Sequence, residues 1–429
     1  MHYLKQILHQ AKQTLIREVI VDHHLADNIY EICTQHGNNI FLVADKNTAE
    51  LLNKNALNKI SHLIIPASLV ILAHDTGIYD GFQCCATWMT PDRPESVASL
   101  EIVNLVRNKA KDSDLIVALG SGTVNDICKY ASYLEKKDYI SLPTAASMNG
   151  YTSANASILV DGHKKSFATH LPKAVYIDID IIADAPLRLT LSGFADFICR
   201  STVKADWLLS HLLLGTEYNE LPFALVRDLE EILLREHLAL AKRSKKVVLL
   251  LMEALLISGL GMVISKSSHS ASQGEHMIAH AMEMVTKDYS SLHGEKIAVT
   301  TLTMANLQEK ILSTQDPTIK PTTLDVKRVT ECFGNTKFTK ILEQKKILQQ
   351  KIGGIIHKEW SNISSLIKQN LLPARHLQKI FEDLSIPHLP EHLGWNKEQY
   401  YKVVSLAFAT RDRFTFLDLA HCIEESEVL

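Results

Sequence analysis

Five short β-branched runs, separated by stretches of helical spacing, constrain the first part of this chain more than any other feature. The runs are Ile40 to Ala44, Leu69 to Ala73, Leu115 to Leu119, Tyr139 to Leu142 and Val175 to Ile179. Strands that are apolar on both faces and alternate with helices belong to a parallel sheet covered on each side, so a doubly wound α/β unit is expected. One intervening helix carries its own start signal. Asp92 and Glu95 bracket Pro94 with capping-box spacing, ahead of Val97, Leu100, Val103 and Val106.

After Ala185-Pro186 the strand signals fade. Helical stretches rich in Leu, Ala and Lys take over, among them Leu212 to Lys242, Val247 to Ile264 and Ile341 to Gln350. The 429 residues exceed what one hydrophobic core usually supports. Two domains are therefore expected: an α/β nucleotide-binding domain with a Rossmann-like parallel sheet over residues 1–184, and an all-α domain over 185–429. The most apolar stretch, Val247 to Ile264, is interrupted by Glu253 and two glycines, which fits a buried helix and not a membrane span.

Composition removes several function classes. Hydrophobic residues at 46% and charged residues at 22% are those of a globular chain, and a net charge of −3 without a long basic block gives nucleic acid no purchase. Seven cysteines, an odd number without CxxC spacing, form no disulfide framework and suit a reducing compartment, with Cys84 and Cys85 read as structural. The opening MHYLKQILHQAKQTLI has Lys and His among its apolar residues and is not expected to be a signal peptide. A cytoplasmic protein with small-molecule partners is the resulting expectation.

Three sets of residues carry chemistry. In DLIVALGSGTVNDICKYAS a strand runs directly into Gly120, Ser121 and Gly122 and then into a helix. That order lets backbone approach a pyrophosphate and aims free N–H groups at it. The three-glycine fingerprint of dinucleotide sites is absent. In FLVADKNTAELL, Asp45 ends a strand, where a carboxylate accepts from an adenosine ribose and repels a ribose phosphate, favouring NAD over NADP. Capping of the next helix explains Asp45 equally well. Finally, Asp196 follows a glycine at the apparent start of a helix, His276 and His280 share a helix face, and His293 begins the next element. One carboxylate and two imidazoles suit zinc or another first-row divalent ion with positions left open.

The ordered run GSGTVNDICKYAS, PTAASMNGYTS, SGFADFICR, SASQGEHMIAH and LHGEKI, with ATRDRFTFLDL near the C-terminus, resembles the sn-glycerol-1-phosphate dehydrogenases of the dehydroquinate synthase-like, iron-containing alcohol dehydrogenase superfamily. The resemblance implies a nucleotide-binding α/β domain, a helical domain and a catalytic cleft between them holding NAD(P) and a divalent metal. Carried over by residue, it implies Asp196, His276 and His293 as metal ligands, with zinc ahead of nickel or iron, and His280 in the cleft. It implies Gly120, Ser121, Gly122 and Asp126 around the pyrophosphate, with Thr144 and Ser147 on the nicotinamide side. Two departures stand out. Asn149 replaces the family's Asp before Gly150, and Ser268 to Gln273 replaces a segment that usually contains Arg. Lys204 and Arg413 remain as candidate phosphate partners, with an ordinary surface or packing charge as the alternative reading of each.

The leading expectation is a metal-dependent, NAD(P)-linked dehydrogenase interconverting a small polyol phosphate and its ketone, sn-glycerol 1-phosphate and dihydroxyacetone phosphate above all, and compatible with a homo-oligomer. A dehydroquinate synthase-like cyclase that uses NAD transiently and a non-catalytic nucleotide-binding relative are the alternatives, distinguished by net NADH formation.

Overall fold

A computed structural model describes residues 16–51, 68–72, 97–161, 163–287, 290–320, 326–334 and 338–423. Cys84, Cys85, Asp92 and Glu95 lie outside these, as do the first fifteen residues. By its internal contacts the chain divides into two compact units, Met1–Phe194 with Asp228–Leu260, and Ala195–Arg227 with Gly261–Leu429. The segment Asp228–Leu260 thus groups with the sheet, whereas a boundary at residue 184 assigns it to the helical half.

Among the described residues the first unit is built on a six-stranded sheet whose strands lie in the order Glu18–Asp22, Ala174–Asp178, Asp138–Pro143, Leu115–Gly120, Ile40–Asp45 and Ser68–Leu72. The strands are β1 (Glu18–Asp22), β2 (Ile40–Asp45), β3 (Ser68–Leu72), β4 (Leu115–Gly120), β5 (Asp138–Pro143) and β8 (Ala174–Asp178), and every pairing is parallel. All five expected runs are strands. β1 was not expected, because EVIVD is short and half-buried at the sheet edge. Also unexpected is the antiparallel hairpin of β6 (Asn155–Val160) and β7 (His163–Ala168), whose second strand is rich in polar residues.

Side-chain alternation explains why the sheet is covered on both faces. Leu42, Ala44, Leu115, Val117 and Leu119 enter one core with Ile29, Ile32 and Cys33. Their neighbours Phe41, Val43, Ile116 and Ala118 enter the other, against α1 (Leu100–Lys109) and α2 (Gly122–Glu135). α1 begins at Leu100, capped by the Ser99 hydroxyl, which accepts from Ile102 N at 3.4 Å. Val97 precedes it. The strand order reverses between β2 and β4, so the crevice beyond their C-terminal ends, next to Asp45 and Gly120, is where a doubly wound sheet takes a ligand.

Two helices close on the loop after β5. These are α3 (Leu187–Ile198) through Gly193 and α5 (Lys245–Ile264) through Gly259. A Cβ at Gly193 would stand 2.0 Å from the Ala146 carbonyl oxygen, and one at Gly259 would stand 2.5 Å from that of Asn149. Glycine is therefore a packing requirement at both positions. α5 is the buried helix expected from its apolar run, with Leu251, Met252, Leu255, Leu256 and Ile257 fully enclosed. The stretch from Leu212 is less regular than expected, because α4 (Arg200–Leu214) stops at Gly215, whose φ of 65° ends the helix.

The second unit is helical, with α4, α6 (Gly274–Thr286), α7 (His293–Ser313), α8 (Phe338–Lys368) and α9 (Phe416–Ala420) around one core containing Met277, Met304, Ile356, Trp360 and Phe416. Gly193→Ala is expected to lower stability by about 2–4 kcal/mol, since the added methyl meets backbone that cannot rotate away. Gly354→Ala, in α8 with nothing within 4 Å of its Cβ, is expected to raise it by up to about 1 kcal/mol. Thermal melting of the two variants beside the parent checks the pair; equal shifts would contradict the packing argument.

Candidate metal centre and cofactor loop

Asp196 lies two residues before the end of α3, not at a helix start. The helix begins after Pro186 and tolerates Gly193 in its interior because of the close approach just described. His276 is in the first turn of α6, and His293 is the first residue of α7, where Glu295 accepts from Leu292 N at 2.8 Å. Helix ends thus bring together three donors distant in sequence.

Their geometry forms one face of a coordination polyhedron. His276 Nε2 and His293 Nε2 are 3.4 Å apart, and Asp196 Oδ1 lies 3.5 Å from the first and 3.6 Å from the second. An ion bound at roughly 2.0–2.2 Å with tetrahedral angles holds its ligands about 3.3–3.6 Å apart. The donor set therefore fits a divalent ion with one or more positions left for substrate. Asp196 and His276 are only 3% and 6% exposed, which screens the centre from competing water.

Glu275 gives His276 its orientation. Its Oε1 is 2.7 Å from His276 Nδ1 and also accepts from Gln273 N at 2.8 Å. The proton is held at Nδ1 and the Nε2 lone pair faces the other donors. Burial presses the His276 imidazolium down, but the hydrogen bonds and charges of Asp196 and Glu275 outweigh it, leaving the pKa above its ordinary value. Cys199, Glu275 and His276 form a second cluster of donor types. Its Glu275–His276 contact is a direct hydrogen bond, too short to admit an ion.

His280 stands beside the triangle. Its ring is 6.2 Å from that of His276 and 6.1 Å from that of His293, and its Nδ1 faces Glu283 Oε2 at 3.4 Å. Lys204 is engaged elsewhere, 2.7 Å from Glu220 Oε1. His269, in the segment that departs from the family pattern, has its Nδ1 2.6 Å from Ser267 Oγ. Burial, followed by the charge of Arg413, holds its pKa down at about 4, so it is neutral near pH 7.

In the first unit Gly120 closes β4, Ser121 is the N-cap and Gly122 opens α2. A Cβ on Gly122 would come within 3.0 Å of Met148 Sδ. Asp45 caps the helix Lys46–Ala49, accepting from Thr48 N at 2.8 Å. Asp126 accepts from Ser157 N at 2.9 Å and so ties α2 to the β6–β7 hairpin. Thr144 N donates to Gly120 O at 3.3 Å, and Ser147 Oγ is 3.1 Å from the Tyr151 hydroxyl. Asn149 precedes a short 3-10 turn, Gly150–Thr152, and the buried Lys129 supports that turn by donating to Gly150 O at 2.5 Å and Asn155 O at 3.2 Å.

Glu275, Asp206 and Lys129 were not singled out from the sequence. Adjacency to His276 was the available signal for Glu275; nothing local marks the other two. Glu275→Gln keeps an acceptor but loses the charge behind His276. It is expected to weaken zinc binding by roughly 10- to 100-fold without unfolding the protein. Chelator competition measures this, and unaltered affinity would show that Glu275 does not act through His276.

A family model described as iron-containing alcohol dehydrogenase matches residues 21–186. The glycerol-1-phosphate dehydrogenase (NAD(P)+) of Methanosphaerula palustris is 32% identical over 295 residues, covering 68% of this chain and 75% of that protein. The enzyme of the same name from Bacillus velezensis is 33% identical over 266 residues, 61% of this chain, and the chain spans 63% of its length. The crystal structure of a probable glycerol dehydrogenase from Sinorhizobium meliloti 1021 shares the fold, with a TM-score of 0.59 at 17% identity over 94% of this chain and 91% of that one. With its parallel sheet, its helical unit and this level of identity to the archaeal relative, the chain belongs to the glycerol-1-phosphate dehydrogenase family of the iron-containing alcohol dehydrogenases.

Proposed function

We propose that the protein is a metal-dependent, NAD(P)-linked oxidoreductase that interconverts sn-glycerol 1-phosphate and dihydroxyacetone phosphate. The donor triangle of Asp196, His276 and His293, with edges of 3.4–3.6 Å and a carboxylate behind His276, carries this reading. A non-catalytic nucleotide binder has no use for such a centre. Zinc suits two imidazoles and one carboxylate better than magnesium or calcium does.

The ion and the nicotinamide, when bound, supply Lewis-acid polarisation of the substrate hydroxyl and an acceptor for the hydride leaving its carbon. The remaining work falls to side chains. Asp196, His276 and His293 hold the ion, and Glu275 keeps His276 in one tautomer. His280 Nε2 receives the hydroxyl proton, with Glu283 facing Nδ1 to stabilise the imidazolium. Gly120, Ser121 and Gly122 take the pyrophosphate at the N-terminus of α2, and Thr144 and Ser147 line the nicotinamide side. Asp45 disfavours the extra phosphate of NADP through its charge while capping its helix.

The decisive assay is NADH formation by zinc-loaded protein from sn-glycerol 1-phosphate. It is expected with this enantiomer, and its absence under saturating NAD and substrate would sink the assignment. Asn149 stands where the family has a carboxylate; an amide cannot act as a base but can donate to a substrate oxygen. Asn149→Asp is expected to raise turnover by roughly tenfold or more if a positioned base is regained. Unchanged kcat in a well-functioning parent would remove position 149 from the chemistry. Asp45→Asn retains the cap and deletes the charge, so the preference for NAD over NADP should narrow; the ratio of kcat/KM values for the two cofactors reports it.

A further inference from the structure

One ammonium group in the first unit is enclosed although it takes no part in the steps above. Lys129, in the middle of α2, is wholly buried. Its Nζ donates to Gly150 O at 2.5 Å, to Asn155 O at 3.2 Å and to Ser153 Oγ at 3.3 Å. An ammonium has three protons, and here each has an acceptor. The Ser153 hydroxyl lies 3.0 Å from both of those carbonyls, so one small polar cluster gathers the turn Gly150–Thr152 and the start of β6 against the helix. Enclosing a charge is costly unless its protons are bonded in this way.

The turn passes this hold on to the loop in front of it. Tyr151, at its centre, donates its hydroxyl back to the Ala145 carbonyl at 2.8 Å, and Ser147 Oγ lies 3.1 Å from the same hydroxyl oxygen. Met148 lies against both Gly122 and Gly150, since a Cβ on either would come 3.0 Å and 3.1 Å, respectively, from its Sδ. α2 therefore begins at the Gly120–Gly122 loop and, two turns later, carries the amine that holds the far side of the segment from Thr144 to Ser153.

Burial lowers the Lys129 pKa to about 8, with the charge of Asp126 opposing the shift. The groups around it change charge elsewhere. Burial raises Tyr139 on β5, Tyr151 in the turn and Cys128 on α2, and lowers His170 beyond β7. Asp126, itself raised by burial, faces Lys129 and Lys164 of β7, and Arg107 pairs with Glu135 at the other end of α2. Below about pH 8 the ammonium serves all three acceptors. Above it the amine keeps two protons and turns a lone pair toward the third.

We propose that Lys129 is a positioning residue for the nicotinamide half of the cofactor, holding the segment from Thr144 to Ser153 in register with the pyrophosphate loop through the Gly150–Thr152 turn and the Tyr151 hydroxyl. The inference rests on the NAD(P) reading above.

Calorimetry on zinc-loaded protein with NAD and with ADP-ribose, which lacks the nicotinamide, tests this in the parent, Lys129→Met and Lys129→Arg. Lys129→Met keeps the length of the side chain without its charge and is expected to bind NAD roughly tenfold more weakly, with affinity for ADP-ribose and zinc content unaltered. The parent is expected to lose NAD affinity, but not ADP-ribose affinity, as the pH rises through about 8; Lys129→Met, lacking the group, should show no such fall. A guanidinium stays charged across this range, so Lys129→Arg is expected to restore part of the affinity and to remove its pH dependence. Parental NAD affinity in Lys129→Met overturns the proposal, as does an equal loss of NAD and ADP-ribose, the mark of a purely structural role. Should Lys129→Met not fold, constant NAD affinity in the parent on both sides of that pH overturns it as well. A parent that behaves as expected but forms no NADH from sn-glycerol 1-phosphate upholds the positioning role and removes the proposed activity. A parent that forms NADH, with NAD bound as tightly by Lys129→Met, does the reverse.

Discussion

The buried carboxylate of Asp206 fixes the geometry of the second unit. It is fully enclosed and accepts from two backbone N–H groups at helix starts and from the Gln308 side chain. Burial first, then the charge of Glu275, raises its pKa to about 8, so its hydrogen bonds only partly offset the cost of enclosing it. Buried polar groups of this kind contribute little net stability but penalise every alternative arrangement, because an unsatisfied carboxylate is worse than a paired one. α6 cannot shift its register without stranding Asp206. His276 inherits its position from that restriction, and the segment before α9 inherits the same one from the other oxygen.

In the first unit the comparable role is divided between absent and buried side chains. Gly193 and Gly259 allow two helices to lie against the carbonyls of Ala146 and Asn149, and Thr152 Oγ1 donates to the Leu256 carbonyl at 2.6 Å. Lys129 then supplies donors to the next carbonyls along. Its pKa is lowered to about 8, chiefly by burial, with Asp126 opposing the shift. The loop carrying Thr144, Ser147 and Asn149 is held largely through its backbone, with Ser147 Oγ also tied to the Tyr151 hydroxyl.

Much of this is legible in the sequence, and the reasons differ by element. Alternation of β-branched residues in parallel strands buried on both faces is a strong local signal, so Ile40 to Ala44 and Leu115 to Leu119 read correctly. Leu187 to Ile198 misled because Gly193 resembles a helix boundary, whereas its missing Cβ answers a contact 47 positions away, at Ala146. The edge strand β1 and the β6–β7 hairpin are half polar and carry no comparable pattern. In the donor triangle, His276 and His293 are recognisable by motif. Glu275, which orients His276, and Asp206, which holds the start of its helix, act through contacts that no spacing rule encodes.

The discontinuity of the two units bears on how the chain is made. The first unit needs Asp228–Leu260 as well as Met1–Phe194, and the second begins with Ala195–Arg227 but cannot close until Gly261–Leu429 exists. During synthesis the sheet can assemble early, yet the loop after β5 stays uncovered on one side until α5 leaves the ribosome with Gly259 and the Leu256 carbonyl. Meanwhile α4, with Asp206 at its centre, must wait through the whole of that interval for its acceptor sites to be filled. The most apolar helix of the protein is therefore also the piece whose late arrival completes the first unit, and a nascent chain halted before it would display the bare backbone of the loop that holds Asn149.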